Sequence, residues 1–183
     1  MMLGVVFAEF IEMVEEEFSP DVADQVFEAV EDALPSGGAY TAVGEYHHSE
    51  ILTLIAQLSQ QTGVPADELV QRFGQYLFGR FTVLYPEFFT DADDTFAFLA
   101  SIENYIHREV RKLYPHAELP RFNCSAPDER TLIMHYESKR PFASLAHGLI
   151  LGCIDHFGQK VEVDLFQPKD RHGSSATFTL RRI

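Results

Sequence analysis

The stretch IHREVRKLYPHAELPRFNCSAPDERTLIMHYESKR, residues 106–140, decides how the rest of the chain is interpreted. The stretch contains His107 near its start, where His107 lies late in an amphipathic helical pattern. The stretch ends in the pattern Y-x-S-x-R, formed by Tyr136, Ser138 and Arg140. Side chains at alternate positions of an extended segment point to one face. Two hydroxyls and a guanidinium on one face predict a site for one or two carboxylates.

A histidine on a preceding element could bind whatever carries those carboxylates. Haem has this combination, since its iron accepts an axial imidazole and its two propionates are carboxylates. The alternatives are an ordinary helix histidine and the polar face of an edge strand, and each part of the pattern is weak alone. Without haem, the chain would be an acidic α+β interaction module whose Y-x-S-x-R face binds another carboxylate.

Taken in order, the motifs resemble the haem nitric oxide/oxygen binding (H-NOX) family, sensor domains related to the haem domain of soluble guanylate cyclase. The resemblance covers nearly the whole chain, because it includes MLGVVF at 2–7, FGQYLF at 73–78 and HGLILGCIDHFGQKVEV at 147–163. Tyr136 follows His107 by 29 residues, which is the spacing that the family uses. The ordered set is far more specific than Y-x-S-x-R alone.

The resemblance implies a role for each motif residue. His107 is implied to be the axial ligand of the iron of haem b, and Tyr136, Ser138 and Arg140 are implied to hold the propionates. Pro120 matches the family's proline that presses on the porphyrin, although it is also an ordinary breaker between helix and strand.

The resemblance also identifies the distal pocket, where the gas binds. In family members that bind O₂, a tyrosine, an asparagine and a tryptophan form a hydrogen-bonding network, and these positions are here Leu145, Leu77 and Phe10. Val6 and Leu149 would complete an apolar wall. NO and CO need a hydrogen-bond donor much less than O₂ does. We therefore expect an NO sensor that also takes CO and excludes O₂.

Two residues could contradict this expectation. Tyr76 is next to Leu77, and its hydroxyl would favour O₂ if it pointed inward. His147 would be needed in the pocket for the alternative function, a haem enzyme acting on O₂, peroxide or NO, since such chemistry requires a distal acid–base residue.

Signalling in trans is the expected output. The resemblance implies that NO weakens or breaks the bond between iron and His107, after which the helical part shifts against the rest. The sequence contains no recognisable output domain, nucleophile–base pair or phosphate loop, so we expect no enzymatic activity. Similarity to stand-alone bacterial members implies a histidine kinase or a cyclic-di-GMP enzyme as partner.

Composition excludes several other classes of protein. The net charge of −14 argues against nucleic acid and anionic membranes as partners. We find no signal peptide and no apolar run long enough to span a membrane. Cys124 and Cys153 form no metal or redox motif, and we interpret them as buried hydrophobes rather than thiol sensors. These features predict a cytoplasmic protein.

Hydrophobic periodicity predicts an α+β fold. The 183 residues suit one haem-binding domain, with a helical subregion over about 1–65 and a haem-cradling subregion over about 66–183. A helical N-terminal half would pack on a C-terminal antiparallel sheet with helices, with haem buried between them. Helices are predicted over 4–17, from Pro20, over 50–61, from Pro65, over 95–114 and over 142–157, and strands over RFNCSA, TLIMHYES, KVEVDLFQ and SATFTLRR, the first two joined by a turn at Pro127-Asp128.

Overall fold

The computed structural model describes residues 1–183, apart from the side chain of Asp170. It contains two compact units, residues 1–73 and residues 74–183, whose boundary lies inside a helix. The predicted organisation as one domain, with a division at about residue 65, stays a prediction. No helix in the described part of the chain is long and apolar enough to cross a membrane.

The first unit is mainly helical, as its periodicity predicts. Ser19 caps the second helix, because its Oγ accepts a hydrogen bond from the Val22 N–H at 3.2 Å and Pro20 takes the first helical position. Gly63, with φ of 74°, ends the third helix in the left-handed conformation that glycine favours. The elements are β1 (Met2–Leu3), α1 (Gly4–Glu17), α2 (Pro20–Val30), a 3₁₀ turn (Glu31–Ala33), β2 (Glu45–Tyr46), which pairs with β1, α3 (His48–Thr62) and the start of α4 (Ala66–Leu84).

The second unit combines helices with an antiparallel sheet. The sheet has the strand order β3-β4-β6-β5, so β3 and β5 are its edges. Its elements are the rest of α4, a 3₁₀ turn (Pro86–Phe89), α5 (Thr95–Ser101), a π-helical segment (Ile102–Ile106), α6 (His107–Leu113), β3 (Arg121–Asp128), β4 (Thr131–Glu137), α7 (Ala143–Phe157), β5 (Val161–Phe166), a 3₁₀ turn (Lys169–Arg171) and β6 (Ser175–Arg182). The predicted α+β class is confirmed.

The core of this second unit follows the period of its strands. Alternate residues of β4 and β6 are buried, and they pack with the apolar side of α7, which includes Ile150 and Cys153. Cys153 is fully buried, in agreement with its interpretation as a small hydrophobe, and burial raises the pKa of its thiol. The buried strand residues are Leu132, Met134, Tyr136, Ala176, Phe178 and Leu180.

One sequence prediction about this unit is confirmed with an added feature, and another is wrong in detail. The helix predicted over 95–114 runs over residues 95–113, with a π-helical turn between α5 and α6 that the sequence did not indicate. The predicted turn at Pro127-Asp128 lies instead after Asp128, since β3 runs through Pro127. Proline is tolerated there because β3 is an edge strand whose pairing with β4 is irregular between Ser125 and Asp128.

Candidate functional site

His107 begins α6 directly after the π segment, and it is buried, with 9% of its surface exposed. Its backbone N–H bonds to the carbonyl of Ile102, five residues earlier, which is the π-helical pattern. Burial lowers the pKa of His107 below its ordinary value, although Glu103 opposes the shift. The imidazole is therefore neutral at pH 7 and keeps a lone pair for a metal ion.

The carboxylate of Glu103 holds this imidazole from the preceding turn. Its Oε2 lies 3.2 Å from His107 Nδ1 and also accepts the Phe122 backbone N–H at 3.2 Å, while Oε1 accepts from Arg111 at 3.1 Å. Burial raises the pKa of Glu103, but these hydrogen bonds outweigh it and lower the pKa below its usual value. Since an ionised carboxylate only accepts hydrogen bonds, Nδ1 is the donor, and Nε2 is the nitrogen that remains for a metal.

Tyr136, Ser138 and Arg140 lie close together at the end of β4, but they do not share one strand. The strand ends at Glu137, and the Ser138 Oγ accepts the Arg140 backbone N–H at 3.0 Å, which turns the chain. The expectation of one extended segment is therefore wrong from Ser138 onward. Burial raises the pKa of the Tyr136 phenol, and its hydrogen bond with Ser138 and the charge of Arg140 oppose this shift.

The Arg140 side chain is a buried guanidinium that already binds a carboxylate. It is 7% exposed, and its Nη2 lies 2.9 Å from Oε2 of Glu118 in the loop before β3. The hydrogen bond from Arg140 is the largest cause that lowers the pKa of Glu118 to about 2. The contact shows that the Arg140 guanidinium is placed to bind a carboxylate through charge-assisted hydrogen bonds, and a haem propionate is also a carboxylate.

A cavity of about 530 Å³ opens beside Arg140. Although the chain has a net charge of −14, the lining of this cavity is rich in cations. Such a concentration of positive charge attracts anions. The cations are Arg111, Arg121, Lys139, Arg140 and Arg171. The donor set of this unit, a neutral buried imidazole with a basic, hydroxyl-bearing cavity, fits a haem with its two propionates.

Pro120 is half-buried and directly precedes β3. This position accounts for it as a breaker between the loop and the strand. A contact with the porphyrin stays a prediction.

Three leucines of the predicted distal wall lie on α4 and α7, whose backbones approach closely. A Cβ atom on Gly74 of α4 would lie 2.4 Å from the Leu145 carbonyl oxygen and 2.8 Å from the Leu149 backbone nitrogen. Leu77 follows Gly74 by three residues on the same helix face, and it is buried. Glycine at position 74 therefore lets the backbones of α4 and α7 approach near the positions of these leucines.

The two remaining wall residues, Val6 and Phe10, belong to the first unit. They are one turn apart on α1, and Phe10 is buried, with its ring centroid 5.2 Å from that of Phe73. Val6 is half-buried. Both are apolar positions on a single helix face.

Two polar side chains, His147 and Tyr76, lie on the helices that carry the leucines of the predicted distal wall. The His147 ring lies with its centroid 5.9 Å from that of Phe178 in β6, so it packs toward the sheet, and burial lowers its pKa. Tyr76 neighbours Leu77 on α4, and its hydroxyl oxygen is buried. Tyr76 is therefore the side chain to replace when O₂ binding is tested.

Two carboxylates beside the site, Glu103 and Glu118, were not predicted from the sequence. Glu103 precedes His107 by four residues, so the signal was present in IENYIHREV, but the same spacing occurs in ordinary helix ion pairs. Glu118 lies in a loop, and only the folded chain brings it to Arg140.

The chain matches one family model and several solved structures. Residues 3–165 match the family model of haem-NO-binding proteins. The chain is 34% identical to an Fe(II) unliganded H-NOX protein from K. algicida, with a TM-score of 0.91 over 100% of this chain and 97% of that one. It is 38% identical to the H-NOX from Shewanella woodyi, solved bound to IWP-051 in the Fe(II)CO state, with a TM-score of 0.82 over 100% of this chain and 95% of that one.

A more distant structure supports the fold alone. An H-NOX protein from S. oneidensis in the Fe(II)NO state is 24% identical, with a TM-score of 0.89 over 100% of this chain and 99% of that one. No curated protein matches the chain.

Proposed function

Because this chain belongs to the haem-NO-binding (H-NOX) family of haem-based gas sensors, we propose that it senses NO, also binds CO and excludes O₂. One observation carries the proposal: a buried imidazole whose Nδ1 is engaged by a carboxylate, which leaves Nε2 for iron. His107 would be the axial ligand of haem b. Tyr136, Ser138 and Arg140 would hold the propionates, and Pro120 would contact the porphyrin.

Ferrous haem, when bound, supplies an iron atom that coordinates a diatomic gas. Side chains of this protein would hold the haem in place. Burying carboxylates is costly unless they are paired and hydrogen-bonded, and Arg140 with the two hydroxyls provides these partners. The helix that begins at His107 holds the imidazole in one orientation, which Glu103 fixes from the preceding turn.

The residues of the wall support the choice of gas. Leu77, Leu145 and Phe10 would place hydrocarbon where an O₂-binding member of the family has hydrogen-bond donors, and Val6 and Leu149 would add no donor. Bound O₂ gains much from such a donor, whereas NO and CO gain little. The CO complex of the S. woodyi protein, at 38% identity, supports CO as a ligand of this chain.

Release of His107 from iron on NO binding would be the signal. His107 joins the π segment to α6, so its release would free the start of that helix. A ligand that favours the released state shifts a two-state equilibrium by its difference in affinity for the two states. A partner enzyme in the cytoplasm, a histidine kinase or a cyclic-di-GMP enzyme, would read the change in trans. The shift of the helical part against the rest stays a prediction.

The test is an absorption spectrum of the reduced, haem-loaded protein under argon, and then with air, CO and NO in separate cuvettes. We expect NO and CO to change the spectrum and brief exposure to air to leave it unchanged. His107→Gly should lose haem or alter the spectrum of the ferrous protein. Tyr76→Phe should behave as the wild type does.

Three outcomes would contradict the proposal. A protein that takes up no haem would refute it entirely. A stable change in air that Tyr76→Phe abolishes would refute the exclusion of O₂. Sustained turnover with O₂ or peroxide would favour the haem enzyme, although His147, which that alternative would use, packs toward the sheet.

A further inference from the structure

The Glu103 carboxylate accepts three hydrogen bonds, whereas a carboxylate on an exposed helix face is often bound only by water. It accepts hydrogen bonds from the His107 ring, from Arg111 of the same helix and from the backbone N–H of Phe122 in β3. The Phe122 amide belongs to a different element, 19 residues along the chain. The carboxylate is therefore held from two sides, and its position relative to the imidazole is fixed by the fold.

We propose that Glu103 is a positioning residue that orients His107, increases electron donation from its Nε2 and so sets how readily NO releases it. The proposal rests on the proposed function, in which His107 binds iron. A carboxylate that accepts the Nδ1 proton makes the imidazole a stronger donor, because negative charge moves toward the ring. A stronger bond between His107 and iron would withstand a competing ligand better.

The surroundings of Glu103 keep this effect from being screened by water. Its side chain is 28% exposed, and that of His107 is 11% exposed, so the pair lies largely out of solvent. Phe122 also covers the imidazole, with a distance of 5.9 Å between the ring centroids. Electrostatic interactions in such partly buried sites are stronger than at an open surface.

Arg111 opposes the action of Glu103. Its guanidinium donates to the Oε1 of the same carboxylate at 3.1 Å and thereby draws negative charge away from His107. Arg111 is 41% exposed, so its removal leaves no buried cavity. The proposal therefore predicts that replacing Glu103 weakens the bond between iron and His107, whereas replacing Arg111 strengthens it.

The experiment measures the stretching frequency of the bond between iron and His107 in the ferrous protein by resonance Raman spectroscopy. The variants are Glu103→Gln, which keeps an acceptor but removes the charge, and Arg111→Met. Glu109→Gln is the matched control, because it removes the same charge from α6 while its carboxylate bonds to Lys112 at 2.8 Å rather than to His107. The same samples are then treated with NO, and the fraction in which His107 stays bound is read from the absorption spectrum.

We expect Glu103→Gln to lower the frequency and Arg111→Met to raise it, with Glu109→Gln unchanged. With NO, the ratio of released to bound His107 should rise on the order of tenfold in Glu103→Gln. A frequency in Glu103→Gln equal to that of the wild type, or a shift in the same direction in both variants, overturns the proposal. If Glu103→Gln fails to fold, Arg111→Met decides alone, since a raised frequency supports the proposal and an unchanged one refutes it.

The design separates this inference from the proposed function. A wild-type protein without a vibration between iron and histidine would refute both. A wild-type vibration that His107→Gly removes but that stays at the wild-type frequency in Glu103→Gln would refute the role of Glu103 alone.

Discussion

Gly74→Ala should destabilise the protein, although alanine favours helices more than glycine does. The added Cβ would lie 2.4 Å from the Leu145 carbonyl oxygen and 2.8 Å from the Gly148 Cα. These are backbone atoms of α7, which cannot rotate away as the end of a side chain can. Ordinary contacts of a Cβ begin at 3.4 Å, so α4 and α7 would have to separate by about 1 Å.

The magnitude follows from two opposing contributions. Replacing glycine in a helix interior stabilises by about 1 kcal/mol. Overpacking costs about 1–3 kcal/mol, and a clash between two backbones belongs at the upper end of that range. The expected net loss is about 2 kcal/mol, which corresponds to a fall in Tm of about 4–8 °C for a protein of this size.

Gly79→Ala is the matched control, because Gly79 is on the same helix and a Cβ there would meet nothing within 4 Å. Its expected effect has the opposite sign, a gain of about 1 kcal/mol and a rise in Tm of about 2–4 °C. The assay is thermal unfolding followed by circular dichroism, at equal haem content for all three proteins. A rise in Tm for Gly74→Ala similar to that for Gly79→Ala would refute the close approach of α4 and α7.

Three further substitutions test the site and its supports. Leu145→Tyr adds a hydroxyl donor to the wall, so we expect its ferrous spectrum to change stably in air; a spectrum as insensitive to air as that of the wild type would contradict the assigned position. Arg140→Met should weaken haem binding by about 1.5–3 kcal/mol in a haem-transfer assay, whereas Lys139→Met, whose side chain is 86% exposed, should change it little; equal losses would contradict the propionate role of Arg140. Asp94→Ala removes the N-cap of α5, in which Asp94 Oδ1 accepts the Ala97 N–H at 2.9 Å, and also the contact of Asp94 Oδ2 with Arg182 at 2.9 Å; loss of the cap hydrogen bond alone should cost about 1 kcal/mol in urea unfolding. That hydrogen bond lowers the pKa of Asp94 below 3.8, so the contribution is complete above pH 3.8 and is lost as the pH falls through the lowered pKa; a difference that persists in acid would contradict it.

The fold was largely predictable because burial follows the period of each element. The amphipathic run over 4–17 became α1 with the same bounds. In SATFTLRR the buried residues alternate in β6, as a strand with one face on the core requires. In both places the local pattern and the packed structure agree, so periodicity was sufficient.

The π segment could not be predicted, because the spacing of its apolar residues, Ile102, Tyr105 and Ile106, also fits an ordinary α-helix. The choice between hydrogen bonds four and five residues apart depends on packing around Glu103 and His107, which includes the amide of β3. The contact of Arg140 with Glu118 depends likewise on the folded loop. For this reason the sequence predicted the motif residues of the site but missed the two carboxylates that neighbour them.

The π segment also determines how a deletion in this helix would change the direction of the His107 imidazole. Each residue of an α-helix turns the chain by about 100° around the axis. The π segment takes up one extra residue within a single turn, so deleting one residue from Ile102–Ile106 would restore α-helical hydrogen bonds and leave His107 and α6 facing nearly the same direction. A one-residue deletion in α5 would instead remove an α-helical residue and turn the His107 ring by about 100° relative to the start of the helix.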